Sequence, residues 1–127
     1  MYSALIIEDD NTIQAYLKRL MSTKFGFKVF QALNGIEGLK MLEETTPDII
    51  LLDNLMPQMN GLEFLRVIKK EDKFKEIPVF VITSSKESDI VGKMLELGVE
   101  DYILKPVEPD MINERIQGVI NKLRETG

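Results

Sequence analysis

Asp53 closes an unbroken aliphatic run, Ile49-Ile50-Leu51-Leu52, and opens into a Pro- and Gly-containing stretch, Asn54-Leu55-Met56-Pro57-Gln58-Met59-Asn60-Gly61. The pattern recurs near the amino terminus, where Ala4-Leu5-Ile6-Ile7 runs into Glu8-Asp9-Asp10. Two more apolar runs end in groups that suit a carboxylate neighbourhood. Val79-Phe80-Val81-Ile82 delivers the hydroxyl of Thr83, and Tyr102-Ile103-Leu104 delivers the ammonium of Lys105. Carboxylates about 4 Å apart repel one another by about 4 kcal/mol at an effective dielectric near 20, so such a cluster calls for a cation. Mg²⁺ suits it: the ion takes one or two carboxylates, keeps several waters and completes its shell with phosphate oxygens. An aspartate in that shell is also a nucleophile toward phosphorus, giving an aspartyl phosphate.

For these side chains to meet, the runs must be strands that end at one edge. Apolar blocks of three or four residues bounded by turn residues read as buried parallel strands at 4–7, 49–52, 79–82 and 102–104. Phe25, Phe27 and Val29 alternate instead, which predicts a strand exposed on one face and near a sheet edge. Helical spacing fills the gaps: Ile13, Tyr16, Leu17, Leu20 and Met21; Ile36, Leu39 and Leu42; Gly61, Leu62, Leu65 and Ile68; Ile90, Met94, Leu95 and Leu97; Ile112, Ile116, Val119, Ile120 and Leu123. Ser84 and Glu87 have capping-box spacing ahead of the fourth helix, and the fifth ends near Arg124. Asn34-Gly35, Thr46-Pro47, Asn60-Gly61, Gly98 and Pro109 punctuate the junctions. The result is a (βα)₅ chain, hence a parallel sheet with helices on both faces. In the five-stranded order 2-1-3-4-5, ligands bind where the order reverses, between the first and third strands. Those are the strands that end in Glu8-Asp9 and Asp53.

Composition narrows the chemistry. At 127 residues the chain is about one domain with a real core, and 44% hydrophobic content is ordinary for a globular protein. No apolar run approaches the roughly 20 residues of a membrane helix, and no secretory signal pattern opens the chain. With no cysteine and no histidine, thiolate and imidazole ligands are excluded. Any metal must be held by oxygen, which points to Mg²⁺, Mn²⁺ or Ca²⁺. The missing cysteines fit a cytoplasmic protein. The net charge of −5, without a basic stripe, argues against direct nucleic-acid binding.

In these features the chain resembles a response regulator receiver domain over essentially its whole length. The matching elements are Glu8-Asp9, the run Asp53-x-x-Met56-Pro57-x-Met59-Asn60-Gly61, Thr83 followed by the small Ser84, and Tyr102-x-x-Lys105-Pro106. The resemblance implies a flavodoxin-like fold of strand order 2-1-3-4-5, in one receiver domain over 1–127 without an output domain. It implies that Asp53 accepts a phosphoryl group from a histidine kinase or phosphotransfer protein. Mg²⁺, or Mn²⁺ in its place, would be held by Asp9, by Asp53, by Glu8 through water and by the Leu55 backbone carbonyl. Lys105 would neutralise phosphoryl oxygens, or pair with Asp53 before transfer, and Thr83 would hydrogen-bond the phosphoryl group. Thr83 and Tyr102 would form the switch, read out on the face of the fourth helix, fifth strand and fifth helix by a downstream protein this sequence does not name. The Lys105–Pro106 bond would be cis.

Other residues have plainer readings. Asp10 caps the first helix or faces solvent and is left out of the metal shell. Met41, Met56, Met59 and Met94 fill gaps in core and loops. In receivers the positions of Leu55 and Ser85 tune phosphoryl lifetime. Asn54 departs from the family, which favours apolar or aromatic residues directly after the acceptor. Three rival readings exist. An Asp-nucleophile phosphatase would want a second acid where Leu55 stands. A flavodoxin-like cofactor carrier would want a phosphate-cradling loop where Glu8-Asp9-Asp10 repels phosphate. A degenerate receiver would lack members of a site set that is complete here.

Overall fold

Strands form where the aliphatic runs lie, and helices where apolar spacing turns to three and four residues. The structure, a computed structural model, describes residues 1–84 and 88–126. Its elements are β1 (Ser3–Ile7), α1 (Asn11–Arg19) with a following π-helical turn (Leu20–Lys24), β2 (Lys28–Ala32), α2 (Gly35–Glu44), β3 (Ile49–Leu52), α3 (Gly61–Ile68), β4 (Val79–Thr83), α4 (Ser88–Leu97), β5 (Asp101–Leu104) and α5 (Pro109–Thr126). All strand pairings are parallel, in the order β2-β1-β3-β4-β5. The alternation of runs and helical segments predicts the parallel sheet, and its order is the flavodoxin-like one that the family resemblance implies.

Alternation along the central strands sends side chains to two apolar layers. Ala4, Ile6, Ile49, Leu51, Phe80 and Ile82 pack under α1 and α5 with Leu17, Met21, Ile112 and Ile116. Leu5, Ile7, Ile50, Leu52, Val79 and Val81 pack under α2, α3 and α4 with Leu42, Leu62, Leu65 and Met94. All the side chains of β3 and β4 are buried, whereas the edge strands β2 and β5 are partly open. Each fully buried Ile, Leu or Phe contributes roughly 1.5–3 kcal/mol, enough for the core to carry a costly cluster of charges at its rim.

Two sequence expectations change. Phe25 and Phe27 are not strand residues, because the first helix continues through the π-helical turn and Gly26, at φ +71°, reverses the chain. The backbone N–H of Phe27 closes the helix end on the Met21 carbonyl at 2.9 Å, and the ladder starts only with Lys28 N–H to the Tyr2 carbonyl at 2.9 Å. Phe27 still buries its ring in the layer under α1, so its apolar character is used in packing. Ile36 and Leu95, counted in helical stripes, stand outside the core at 41% and 54% exposure. The capping box expected from Ser84 and Glu87 rests on Glu87, which lies outside the described residues. A capping box does form at α3, where the Asn60 side chain accepts from Glu63 N–H and the Glu63 carboxylate accepts from Asn60 N–H.

Among the described residues, no helix is long and apolar enough to cross a membrane.

Candidate functional site

Sheet register determines which residues meet at the carboxyl edge. Ile7, Leu52, Val81 and Tyr102 lie in one row across β1, β3, β4 and β5. Glu8 and Asp53 follow one step beyond that row, Thr83 two steps and Lys105 three. The backbone holds the ends together: Asp53 N–H donates to the Ile7 carbonyl at 3.0 Å, and Lys105 N–H to the Thr83 carbonyl at 2.9 Å. Glu8, Asp53 and Thr83 are almost fully buried at 2%, 3% and 0% exposure, so their polar groups are withdrawn from water.

The three acids converge. One carboxylate oxygen from each of Glu8, Asp9 and Asp53 lies within 4.8 Å of the others, with Asp9 the solvent-exposed member. Asp10 stays outside the cluster and caps α1, its side chain accepting from the N–H groups of Thr12 at 2.8 Å and Ile13 at 3.1 Å. Lys105 reaches in from the end of β5. Its Nζ donates to Glu8 Oε1 at 2.7 Å and lies 3.5 Å from Asp53 Oδ2, so its closer partner is Glu8. The second Glu8 oxygen accepts from Asp10 N–H at 3.2 Å, and Asp53 Oδ1 from Leu55 N–H at 3.4 Å. The Lys105–Pro106 peptide is cis.

Electrostatics follow from this crowding. Burial pushes the Glu8 carboxyl up from 4.5 to about 7 and the nearby Asp53 charge adds to the rise, while the Lys105 and Asp10 hydrogen bonds hold it back. For Lys105 burial works downward, but the hydrogen bond to Glu8 and the charges of Asp53 and Glu8 outweigh it, and the ammonium titrates above its ordinary value. Among the described residues one fixed cation, Lys105, thus serves these acids, and the cluster has capacity for another. An oxygen-only donor set with exposed Asp9 at its mouth fits a hard divalent ion that keeps part of its water shell.

The acceptor loop is tied down at both ends. The Asn54 amide, which follows the acceptor, is 2% exposed, and its Oδ1 accepts from Leu62 N–H at 3.0 Å. Its carbonyl accepts from Met56 N–H and Gly61 N–H, each at 3.1 Å. The departure from an apolar residue therefore has a physical account: Asn54 caps the first turn of α3 from inside the loop. Gly61 is required there, since a Cβ would lie 2.5 Å from the Asp53 carbonyl oxygen. Farther along, Gln58 takes φ 67° and its side-chain oxygen accepts from Asn34 Nδ2 at 3.1 Å, while Gly35 N–H donates to the Met59 carbonyl at 3.1 Å.

Thr83 and Tyr102 share a face of the sheet. Tyr102 pairs with Val81 and packs against the layer under α2, α3 and α4, and strand alternation puts Thr83 on that side too. On the outer surface, Arg115 pairs with Asp101 at 2.6 Å and Lys122 with Glu100. A largely apolar groove lined by Thr12, Ile13, Tyr16, Lys105, Pro106 and Val107 opens beside the acids.

Sequence reasoning passed over Gln14. It is 3% exposed on α1 and bonds to backbone at the ends of β1 and β2. The available signal was its position, three residues before Leu17 and seven before Met21, on a line that is otherwise apolar.

A doubly wound sheet with a Glu-Asp pair and an Asp at its switch point, joined by Lys105, defines a receiver-type regulatory domain. The response regulator receiver domain model matches residues 4–117, and the chain belongs to that family, the regulatory module of two-component systems. The transcriptional regulatory protein AfsQ1 of Streptomyces coelicolor is 37% identical over 122 residues, 96% of this chain and 52% of that protein. Chemotaxis protein CheY1 of Helicobacter pylori is 31% identical, over 91% of this chain and 94% of its own length. A CheY-like receiver domain protein from Methanospirillum hungatei superposes with a TM-score of 0.91 at 26% identity, covering 100% of this chain and 99% of the other. The chain spans about half the length of AfsQ1 and several other curated relatives it matches.

Proposed function

We propose that this domain receives a phosphoryl group on Asp53 from the phosphohistidine of a partner kinase or phosphotransfer protein. The observation that carries the reading is the gathering of Glu8, Asp9 and Lys105 around the buried Asp53 carboxylate. A carboxylate oxygen of Asp53 forms the new P–O bond as the P–N bond breaks, and the imidazole keeps the electron pair. Lys105 is charged throughout and faces the oxygens where negative charge accumulates. Thr83 supplies a hydroxyl near the acceptor. Mg²⁺, with Mn²⁺ as a substitute, would be held by Asp9, Asp53, the Leu55 carbonyl and, through water, Glu8, and when bound supplies charge neutralisation of the phosphoryl oxygens. The groove beside Lys105 gives an incoming protein an apolar foothold at the rim. The activity is regulatory, with transfer and slow hydrolysis occurring on the domain itself, in the cytoplasm and without nucleic-acid contact.

Incubation with acetyl phosphate and Mg²⁺, followed by intact mass, should reveal one phosphoryl adduct. Asp53→Asn and chelation of the divalent ion should each abolish it. An adduct that survives Asp53→Asn would place the acceptor elsewhere and overturn the assignment.

Signal output follows from the same side chains. Phosphorylation adds roughly one negative charge and three acceptor oxygens. Thr83 moves to meet them and vacates space on the face it shares with Tyr102, which fills it. The surface of α4, β5 and α5 then changes for a downstream protein. Phosphoryl ligation supplies the differential free energy such a population shift needs. In Thr83→Ala, phosphorylated and unphosphorylated protein should show the same amide-exchange pattern over β5 and α5, whereas the wild-type patterns differ. A difference that persists in the variant removes Thr83 from the relay.

A further inference from the structure

We propose that Gln14, oriented by Gln31, is a positioning residue that fixes Glu8 for divalent-ion binding. The inference rests on Glu8 being part of the metal site.

A fully buried amide is costly unless its hydrogen bonds are made. Gln14 makes them at the one place where two strands and the acidic cluster meet. Its Nε2 lies 2.7 Å from the Ala32 carbonyl oxygen, 3.0 Å from that of Glu8 and 3.1 Å from that of Ile6. Two N–H groups facing three acceptors means that at least one is shared. On the other side, Gln14 Oε1 accepts from Gln31 Nε2 at 2.9 Å. Carbonyls on one end and a donor on the other leave only one orientation of the amide that satisfies every partner.

The consequence for Glu8 is specific. Its own N–H donates to the Ala32 carbonyl at 3.0 Å, the same oxygen that receives Gln14. The residue is therefore gripped at both backbone groups, by Ala32 at its nitrogen and by Gln14 at its oxygen. Glu8 lies one residue past the last paired rung, Ile7 with Ala32, and Gln14 adds a second tie between the two strands there, beside the Glu8 N–H to Ala32 bond. With the backbone held, the carboxylate reaches Lys105 at 2.7 Å and Asp10 N–H at 3.2 Å instead of sampling other rotamers. Catalytic and binding groups need placement within about 0.5 Å to work well, and a clamp on the parent backbone achieves that. An apolar side chain would serve packing as well as Leu17 does on the same helix face.

The test uses all 127 residues and Mn²⁺, with the EPR signal of the free ion as a direct binding readout. Gln14→Met keeps length and volume but removes both donors. It should weaken Mn²⁺ binding by about tenfold or more, the usual effect of losing a partner that orients a ligand. In a Glu8→Gln background the same change should add no more than about twofold, because its target is already gone. Gln31→Leu, on the exposed rim of the edge strand, should weaken binding a few-fold and becomes the deciding variant if Gln14→Met does not fold. A lowered thermal midpoint with unchanged Mn²⁺ affinity would make Gln14 a strand tie only and overturn the proposal, as would an equal loss with and without Glu8. Wild-type protein that takes up no Mn²⁺ refutes the metal site itself, and this inference with it.

Discussion

Lys105→Met should slow phosphorylation of Asp53 by acetyl phosphate by about 10²- to 10³-fold at saturating Mg²⁺, the range seen when one preorganised electrostatic group is removed from a reacting centre. Coulomb's law gives a similar scale, since a unit charge about 4 Å away is worth about 4 kcal/mol at an effective dielectric near 20. Lys105 meets the distance condition already, with Nζ 3.5 Å from Asp53 Oδ2. It is also charged across the working pH range, because Glu8 and Asp53 raise its titration further. Removing it takes away the ammonium that both buried acids, Glu8 and Asp53, hold within contact distance. The variant should therefore lose about 3–5 kcal/mol of stability in chelator at alkaline pH, and recover much of that loss in Mg²⁺. Initial rates from intact mass and urea midpoints with and without the ion separate the two effects. A rate within tenfold of wild type, in protein verified as folded, would take Lys105 out of the transfer.

The rim of the site was legible in the chain because buried parallel strands are nearly pure aliphatic runs. Whatever ends such a run must emerge at the carboxyl edge, so Glu8, Asp53, Thr83 and Lys105 fall on one rim from the sequence alone. Asp10 was separable from its neighbours because a carboxylate just ahead of a helical stripe has capping to do. Choices among local partners were not legible. Phe25 and Phe27 alternate like a strand, but the Phe27 N–H is used at a helix end, and periodicity does not register where a hydrogen bond is spent. Lys105 selects Glu8 over Asp53 by about 0.8 Å, an outcome of the turn after β5 and not of spacing. Asn54 stood out as unusual without a reason, because the N–H that it caps lies eight residues away. Gln14 was passed over since a single amide in an amphipathic helix looks like surface until the strand carbonyls around it are known.

Removal of divalent ions should make the protein less stable as pH rises from about 4.5 to 7, and Glu8→Gln should erase that part of the slope. The sign follows from where Glu8 binds its proton. Its carboxyl titrates near 7 in the folded state against 4.5 as its ordinary value, so within that window the folded chain holds more protons than the unfolded one. Stability rises with pH only where the unfolded state binds more protons, so here it falls. The full effect, reached above the folded value, is about 3 kcal/mol, since each pH unit between the two values is worth about 1.36 kcal/mol. Lys105 contributes no opposing slope in this range: its folded value is raised, so its contribution is constant until alkaline pH. Metal ligands bind in their deprotonated form, so saturating Mg²⁺ should flatten or reverse the trend by stabilising the ionised carboxylates. Urea unfolding at a series of pH values, for wild type and Glu8→Gln, with chelator and with Mg²⁺, isolates the contribution as a difference between curves. Parallel wild-type and variant curves in chelator would mean that Glu8 is ionised without cost in the folded protein. The acids would then be relieved by Lys105, and the cluster would have no electrostatic demand for a divalent cation.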